Sequence, residues 1–175
     1  MLYVICHFRT TGRNPRRDLP LEVGLVCCNG GFGFLTTYTS LIKWPVLMGF
    51  QDWPETWGRD HGLEFQVLMQ QGKWPGEVVT DIRYILQLHS SCGLPTLVSE
   101  DILSDYSFML KLFEGSEFPF RSRGYDPGLL FEVLQELSPL PLPDPREGGA
   151  LEAALNTYRR IRKALDVLSS RRALP

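Results

Sequence analysis

The sequence predicts an α/β fold built on a mixed sheet. Three observations carry this expectation. First, three β-rich segments, residues 2–9, 21–28 and 32–42, follow one another with short connections, which makes an antiparallel meander. Second, a helical segment and then a short apolar strand come next, so helix and strand alternate. Third, the remainder is helical and ends in a long segment with an apolar stripe at helical spacing.

Taken in order, residues 2–9 form an apolar run that suits a strand buried on both faces, and residues 21–28 read likewise. Gly30-Gly31 makes the turn into a third strand rich in Thr, Tyr, Phe and Ile. Residues 43–61 carry Trp44, Trp53, Trp57, Pro45 and Pro54. A lid packed on the core is the favoured reading of this segment, and a stacking surface for nucleotide bases is the other. Residues 63–71 suit a short helix that stops at Gly72. Residues 77–91 suit a helix with Val78, Ile82, Ile85, Leu86 and Leu88 mostly on one face, ended by Gly93. Residues 94–99 form the short strand. Residues 105–114 form a helix with Phe108, Met109, Leu112 and Phe113 inward.

A loop over residues 115–124 carries Arg121 and Arg123, and residues 127–137 form a helix with Pro127 in its first turn. Residues 138–147, rich in proline, suit a stiff extended connector, packed as a loop or offered to a partner. Residues 149–170 make the last helix. Leu151, Ala154, Leu155, Tyr158, Ile161, Leu165 and Leu168 mark its buried stripe, and Arg159, Arg160, Arg162 and Lys163 its basic exposed side.

The 175 residues suit one domain, 1–175, with enough chain to hide about 70% of its unfolded surface. A hydrophobic fraction of 43% and a charged fraction of 22% are those of an ordinary globular protein. The net charge of −2 argues against a broadly basic nucleic-acid binder and leaves room for a local basic face. No stretch approaches the ~20 apolar residues of a membrane span. The first residues lack a basic n-region and a cleavage site, and read as a strand. Cys6, Cys27, Cys28 and Cys92 form no CxxC pair, so buried reduced thiols and a cytoplasmic location are expected.

The opening Val4-Ile5-Cys6-His7-Phe8-Arg9-Thr10-Thr11-Gly12 runs a strand into a Thr-Thr-Gly turn, and a second strand follows through Glu22-Val23-Gly24-Leu25-Val26. This unit resembles the start of the DnaQ-like (DEDD) 3′–5′ exonucleases, where the first strand carries Asp-x-Glu just before Thr-Thr-Gly. Here the two acidic positions read His7 and Arg9. Ser104-Asp105-Tyr106-Ser107-Phe108 is similar to the family's second motif and keeps its acid as Asp105. Gly148-Gly149-Ala150-Leu151-Glu152-Ala153-Ala154 is similar to the start of the family's last helix, with Gly148 at the His position and Ala153 at the Asp position. Gly124-Tyr125-Asp126 resembles a further, non-catalytic part of the frame. The resemblance covers most of the chain and implies a ribonuclease H-like fold: a three-strand meander plus parallel strands, flanked by helices.

The resemblance also implies a chemistry. Four carboxylates would hold two divalent cations ~4 Å apart, and a His would act as general base. Of those five positions only Asp105 keeps its residue, and Arg9 would place a permanent cation by the metal site. The expectation is therefore a pseudo-nuclease with no cofactor: an exonuclease-like module that binds single-stranded nucleic acid or serves as a protein-interaction scaffold. Arg9, Arg13, Arg16 and Arg17 would supply phosphate contacts. A solvated turn is the plainer account of that basic run.

The alternative is an active 3′–5′ exonuclease or exoribonuclease with Mg²⁺ or Mn²⁺ on a rearranged set drawn from Asp101, Asp105, Asp126 and Glu152. A structural subunit of a larger assembly is a third class. Asp105 also reads as a helix N-cap, and His7 as a satisfied core histidine. His61 and His89 have no assigned role. A charge-balancing Arg9–Asp105 ion pair is a specific expectation of the resemblance.

Overall fold

The computed structural model describes residues 1–49, 63–89, 93–137 and 148–172. Four strands form one sheet: β1 (Tyr3–Thr10), β2 (Pro20–Cys28), β3 (Phe34–Leu41) and β4 (Thr96–Val98). Their order is β3-β2-β1-β4. β1 and β2 are antiparallel, as are β2 and β3, and β4 lies parallel to β1. The expected meander and the parallel fourth strand are both present. Val98 also bridges in parallel to Tyr125 beyond β4.

Five helices follow the meander among the described residues: α1 (Phe65–Gln71), α2 (Pro75–His89), α3 (Ile102–Leu112), α4 (Gly128–Leu137) and α5 (Ala150–Arg172). Side chains alternate across a strand, so each face of β1 has its own partners. Val4, Cys6 and Phe8 pack with Val78, Ile82 and Leu86 of α2 and with Phe108, Met109 and Leu112 of α3. Ile5, Val26 and Val98 pack with Phe131 of α4 and with Ala154 and Ile161 of α5. Helices on both faces explain why β1 and β2 read as unbroken apolar runs rather than alternating ones.

One close approach sets the geometry of the site. Gly24 of β2 has no room for a Cβ, which would collide with the backbone of Ala150 and Leu151. The first turn of α5 therefore rests directly on the β2 backbone, beside the end of β1.

Several expectations are corrected at the level of detail. Leu88 is 61% exposed and Leu168 38%, because each sits past the point where its helix leaves the core. Arg160 does not join the exposed basic side of α5; it turns inward to an acid of the cleft. Helix α3 begins three residues before Asp105, with Asp101 at the N-cap position, so Asp105 is not the cap. Of the aromatic segment, residues 45–49 form a 3-10 turn, and Trp44 is half-buried with its indole N–H donating to the Pro20 carbonyl at 2.7 Å. Trp53, Trp57, His61, Cys92 and the proline-rich segment lie outside the described residues.

Candidate functional site

The cleft opens where β1 and β4 end. The last residues of β1, the loop after β1, the residues after β4 and the start of α3 wall it, with Gly148 and Thr157 closing one side. Its volume is about 960 Å³. His7, Arg9, Arg13, Ser99, Glu100 and Asp101 supply its polar lining, and Leu103 an apolar lip.

Asp105 sits at the bottom of this site and is 3% exposed. One carboxylate oxygen accepts the Phe8 backbone N–H at 3.2 Å. The other accepts the Ser99 hydroxyl, whose oxygen in turn accepts the Asp101 N–H at 3.0 Å. The imidazole Nδ1 of His7 stands 3.7 Å from the same oxygen, and its side chain is 32% exposed. His7 is thus a half-open group facing an acid, not a core histidine. Burial, and secondarily the carboxylate of Asp105, pushes the Cys6 thiol well up from its ordinary value.

The expected Arg9–Asp105 pair does not form. Arg9 donates instead to Glu22 at 2.9 Å, with the two side chains 17% and 13% exposed. The reason is register: Arg9 and Glu22 are directly opposed in the antiparallel β1–β2 ladder, the closest placement a sheet offers two side chains. Both Asp105 oxygens are already engaged. The second terminal nitrogen of Arg9 is buried without a hydrogen-bond partner.

The Thr-Thr-Gly turn is a built structure rather than a loose hairpin. Thr10 donates its hydroxyl to the Gly12 carbonyl at 2.6 Å, and the Thr11 hydroxyl accepts the Leu19 N–H at 2.9 Å. Gly12 leaves room for the Asp18 carboxylate, which a Cβ there would displace from its place accepting the Asn14 N–H at 2.7 Å. Lys111 of α3 locks the loop from outside by donating to the Pro15 and Asp18 carbonyls at 2.9 and 2.8 Å. The loop separates its three arginines. Arg13 lines the cleft, Arg16 lines a neighbouring groove, and Arg17 lies within 4.0 Å of Asp18 while lining neither.

Gly148 lines the cleft at a φ of +86°, the left-handed region that disfavours a side chain. Ala153 is buried against the core. The remaining candidates do not gather. Asp126 is taken up by the Gly128 N–H at 2.7 Å, and Glu152 is half exposed and pairs with Arg159 at 2.6 Å. Among the described residues no group of three or more His, Cys, Asp and Glu stands together to hold a metal ion. A two-cation centre needs several free oxygen ligands; here both Asp105 oxygens are engaged, Glu100 is held by Arg160 and Thr157, and Asp101 stands apart on the lining beside the imidazole of His7 and the guanidinium of Arg9, a poor match to that donor set.

Sequence reasoning missed four contributors: Glu22, Ser99, Glu100 and Arg160. Glu100 accepts from Arg160 and, at 2.8 Å, from the Thr157 hydroxyl, and Arg160 stacks over Phe131 at 4.2 Å. Only Glu22 had a signal in the sequence, namely its place opposite Arg9 once the hairpin register is counted.

No protein-family model matches the sequence, and no curated protein sequence matches it significantly. Solved structures do match. The nuclease domain of 3′hExo, a DEDDh family member, bound to rAMP, superposes with a TM-score of 0.69 at 13% identity, covering 94% of this chain and 92% of that one. Exonuclease I of E. coli in complex with a 5cy-dT13 oligonucleotide gives 0.65 at 11% identity, over 97% of this chain and 43% of that one. The cell-death related nuclease CRN-4 gives 0.60 at 13% identity, over 95% and 64%. Together with the mixed sheet and its two helical layers, these likenesses show that the chain has the ribonuclease H-like fold of the DnaQ-like, DEDD 3′-exonucleases.

Proposed function

We propose that this chain is a catalytically degenerate, exonuclease-like module that holds single-stranded nucleic acid in its cleft without cutting it. One observation carries the proposal: the end of β1 places His7 and Arg9 at the site where cation-binding carboxylates would be needed, and Glu22 holds Arg9 there at 2.9 Å. A guanidinium in place of a carboxylate removes a metal ligand, and because Glu22 balances its charge, the contact for an anion falls to the cleft's other arginine, Arg13. Arg13, exposed on the rim of a well-tied loop, makes that phosphate contact at small entropic cost. The structures of similar fold that carry rAMP or an oligonucleotide support the choice of ligand. The overall charge of −2 makes the contact local and modest, with Arg13 as the main phosphate ligand of the cleft.

The test has two readouts on the pure protein. Fluorescence anisotropy with labelled single-stranded DNA and RNA in EDTA should show binding that weakens with salt. One phosphate contact in the cleft gives a log–log slope of about −0.7 for a short single strand. Arg13→Ala should weaken it several-fold. Gel analysis with Mg²⁺ or Mn²⁺ should show no shortening of the same oligonucleotides. Metal-dependent trimming abolished by Asp105→Ala, or two-site Mn²⁺ binding by calorimetry, would overturn the non-catalytic part. Failure to bind any single strand would overturn the ligand.

A further inference from the structure

A second groove flanks the cleft on the far side of the loop after β1. It has a volume of about 570 Å³ and is lined by Asn14, Pro15, Arg16, Leu110, Lys111 and Glu114, together with Ser107. Pro15 and Ser107 line both cavities, so the two are contiguous across the loop. Leu103, Ser107 and Leu110 follow one another at helical spacing on a single face of α3, spanning ~10 Å along its axis. This is an unusual face to leave in water: Leu103 is 83% exposed and Leu110 44%. Leu103 stands at the lip of the cleft and Leu110 in the groove. Arginines stand opposite both, Arg13 on the cleft side and Arg16 on the groove side.

We propose that this groove is a second subsite, in which the single strand held by the cleft continues across α3 with its bases against Leu103 and Leu110 and its phosphates toward Arg13 and Arg16. The inference rests on the cleft being a strand-binding site and deepens it to an extended ligand. Charge complementarity selects the occupant. The acids Glu100 and Asp101 lie on the cleft side of Leu103, and beyond them the apolar stripe with Arg13 and Arg16 beside it suits an amphipathic polyanion, with apolar base faces and a charged backbone. Glu114 at the outer end of the groove bounds the anion-binding stretch. Lys111 supports the groove indirectly, since its ammonium is spent on the Pro15 and Asp18 carbonyls and holds the loop that carries both arginines.

The experiment is a length series. Anisotropy is measured with labelled oligo(dT) and oligo(U) of about 2, 4, 8 and 12 nucleotides, a range that brackets common single-strand site sizes. Affinity should rise with length and then level. Leu110→Glu and Arg16→Glu, both at exposed positions, should remove roughly tenfold from the longer oligonucleotides and leave the shortest unchanged. Arg13→Glu should weaken all lengths alike. If affinity is independent of length, or if Leu110→Glu weakens short and long ligands equally or not at all, the second subsite is wrong while the cleft stands. Absence of binding at every length would overturn both.

Discussion

The ion pair between Arg9 and Glu22 is the sharpest feature to perturb, because it stands in place of the Arg9–Asp105 pair expected from the sequence. At 2.9 Å, two unit charges attract by about 6 kcal/mol at an effective dielectric of about 20. Desolvation removes several kcal/mol of that. The side chains are 17% and 13% exposed, so the net coupling should exceed the ~0.2–1 kcal/mol of surface pairs and fall short of a fully buried pair. A coupling of about 1–2 kcal/mol is expected. The single substitutions should differ. Arg9→Ala leaves Glu22 beside Gly149, at the start of α5, where the helix dipole favours a negative charge; it should cost about 1–2 kcal/mol. Glu22→Ala leaves a guanidinium whose other terminal nitrogen already lacks a partner, and should cost about 2–3 kcal/mol. At ~2–4 °C per kcal/mol for a chain of this size, Tm should fall by roughly 2–8 °C and 4–12 °C. Urea denaturation of the wild type, both singles and the double measures the cycle. Additivity within ~0.5 kcal/mol would refute the coupling, and a Glu22→Ala cost no larger than that of Arg9→Ala would refute the asymmetry.

Three further outcomes follow from the same geometry. Asp105→Ala should destabilise by ~2–4 kcal/mol because the Phe8 N–H and the Ser99 hydroxyl lose their acceptor in a buried setting, whereas Asp105→Asn, which keeps an acceptor oxygen, should cost less than half as much; equal losses in chemical denaturation would contradict this. Gly24→Ala should cost at least the ~3 kcal/mol of severe overpacking, since its methyl meets the backbone of α5 rather than a movable side chain, and a near-wild-type urea midpoint would show that α5 does not rest on β2. Burial pushes the thiols of Cys27 and Cys28 up from 9.0 to about 12 and about 11, and the phenol of Tyr38 upward as well. In the unfolded chain the thiols ionise near their ordinary value and the folded chain resists, so the unfolded state binds fewer protons and stability should fall as pH rises from about 9 to about 11. A urea midpoint unchanged across that window, or rapid thiol labelling of a Cys92→Ser variant at about pH 8, would speak against buried thiols.

Much of the architecture was legible in the residues. The apolar runs of β1 and β2 suit strands covered on both faces, and the helical spacing of Val78, Ile82 and Leu86, or of Phe108, Met109 and Leu112, left few partners for those faces. Local pattern failed where a helix or strand meets its end. Asp105 reads as a cap in sequence because acids favour such places, yet α3 starts at Ile102 and carries Asp105 inward in its first turn. Leu88 and Leu168 continue an apolar period after the core has run out beneath them.

The site divides along the same line. The sequence by itself determined which groups stand at the end of β1: a histidine and an arginine, and a Thr-Thr-Gly turn followed by arginines. Side-chain identity and strand alternation are local properties, and they need no tertiary information. Tertiary structure alone decided the pairings. It gave Arg9 to Glu22 through the ladder register, closed both oxygens of Asp105 with Phe8 and Ser99, drew Arg160 in to Glu100, and split the arginine run between two cavities. Those choices depend on distances between elements far apart in the chain, and electrostatic contacts fall off too steeply with distance for composition or spacing to resolve them.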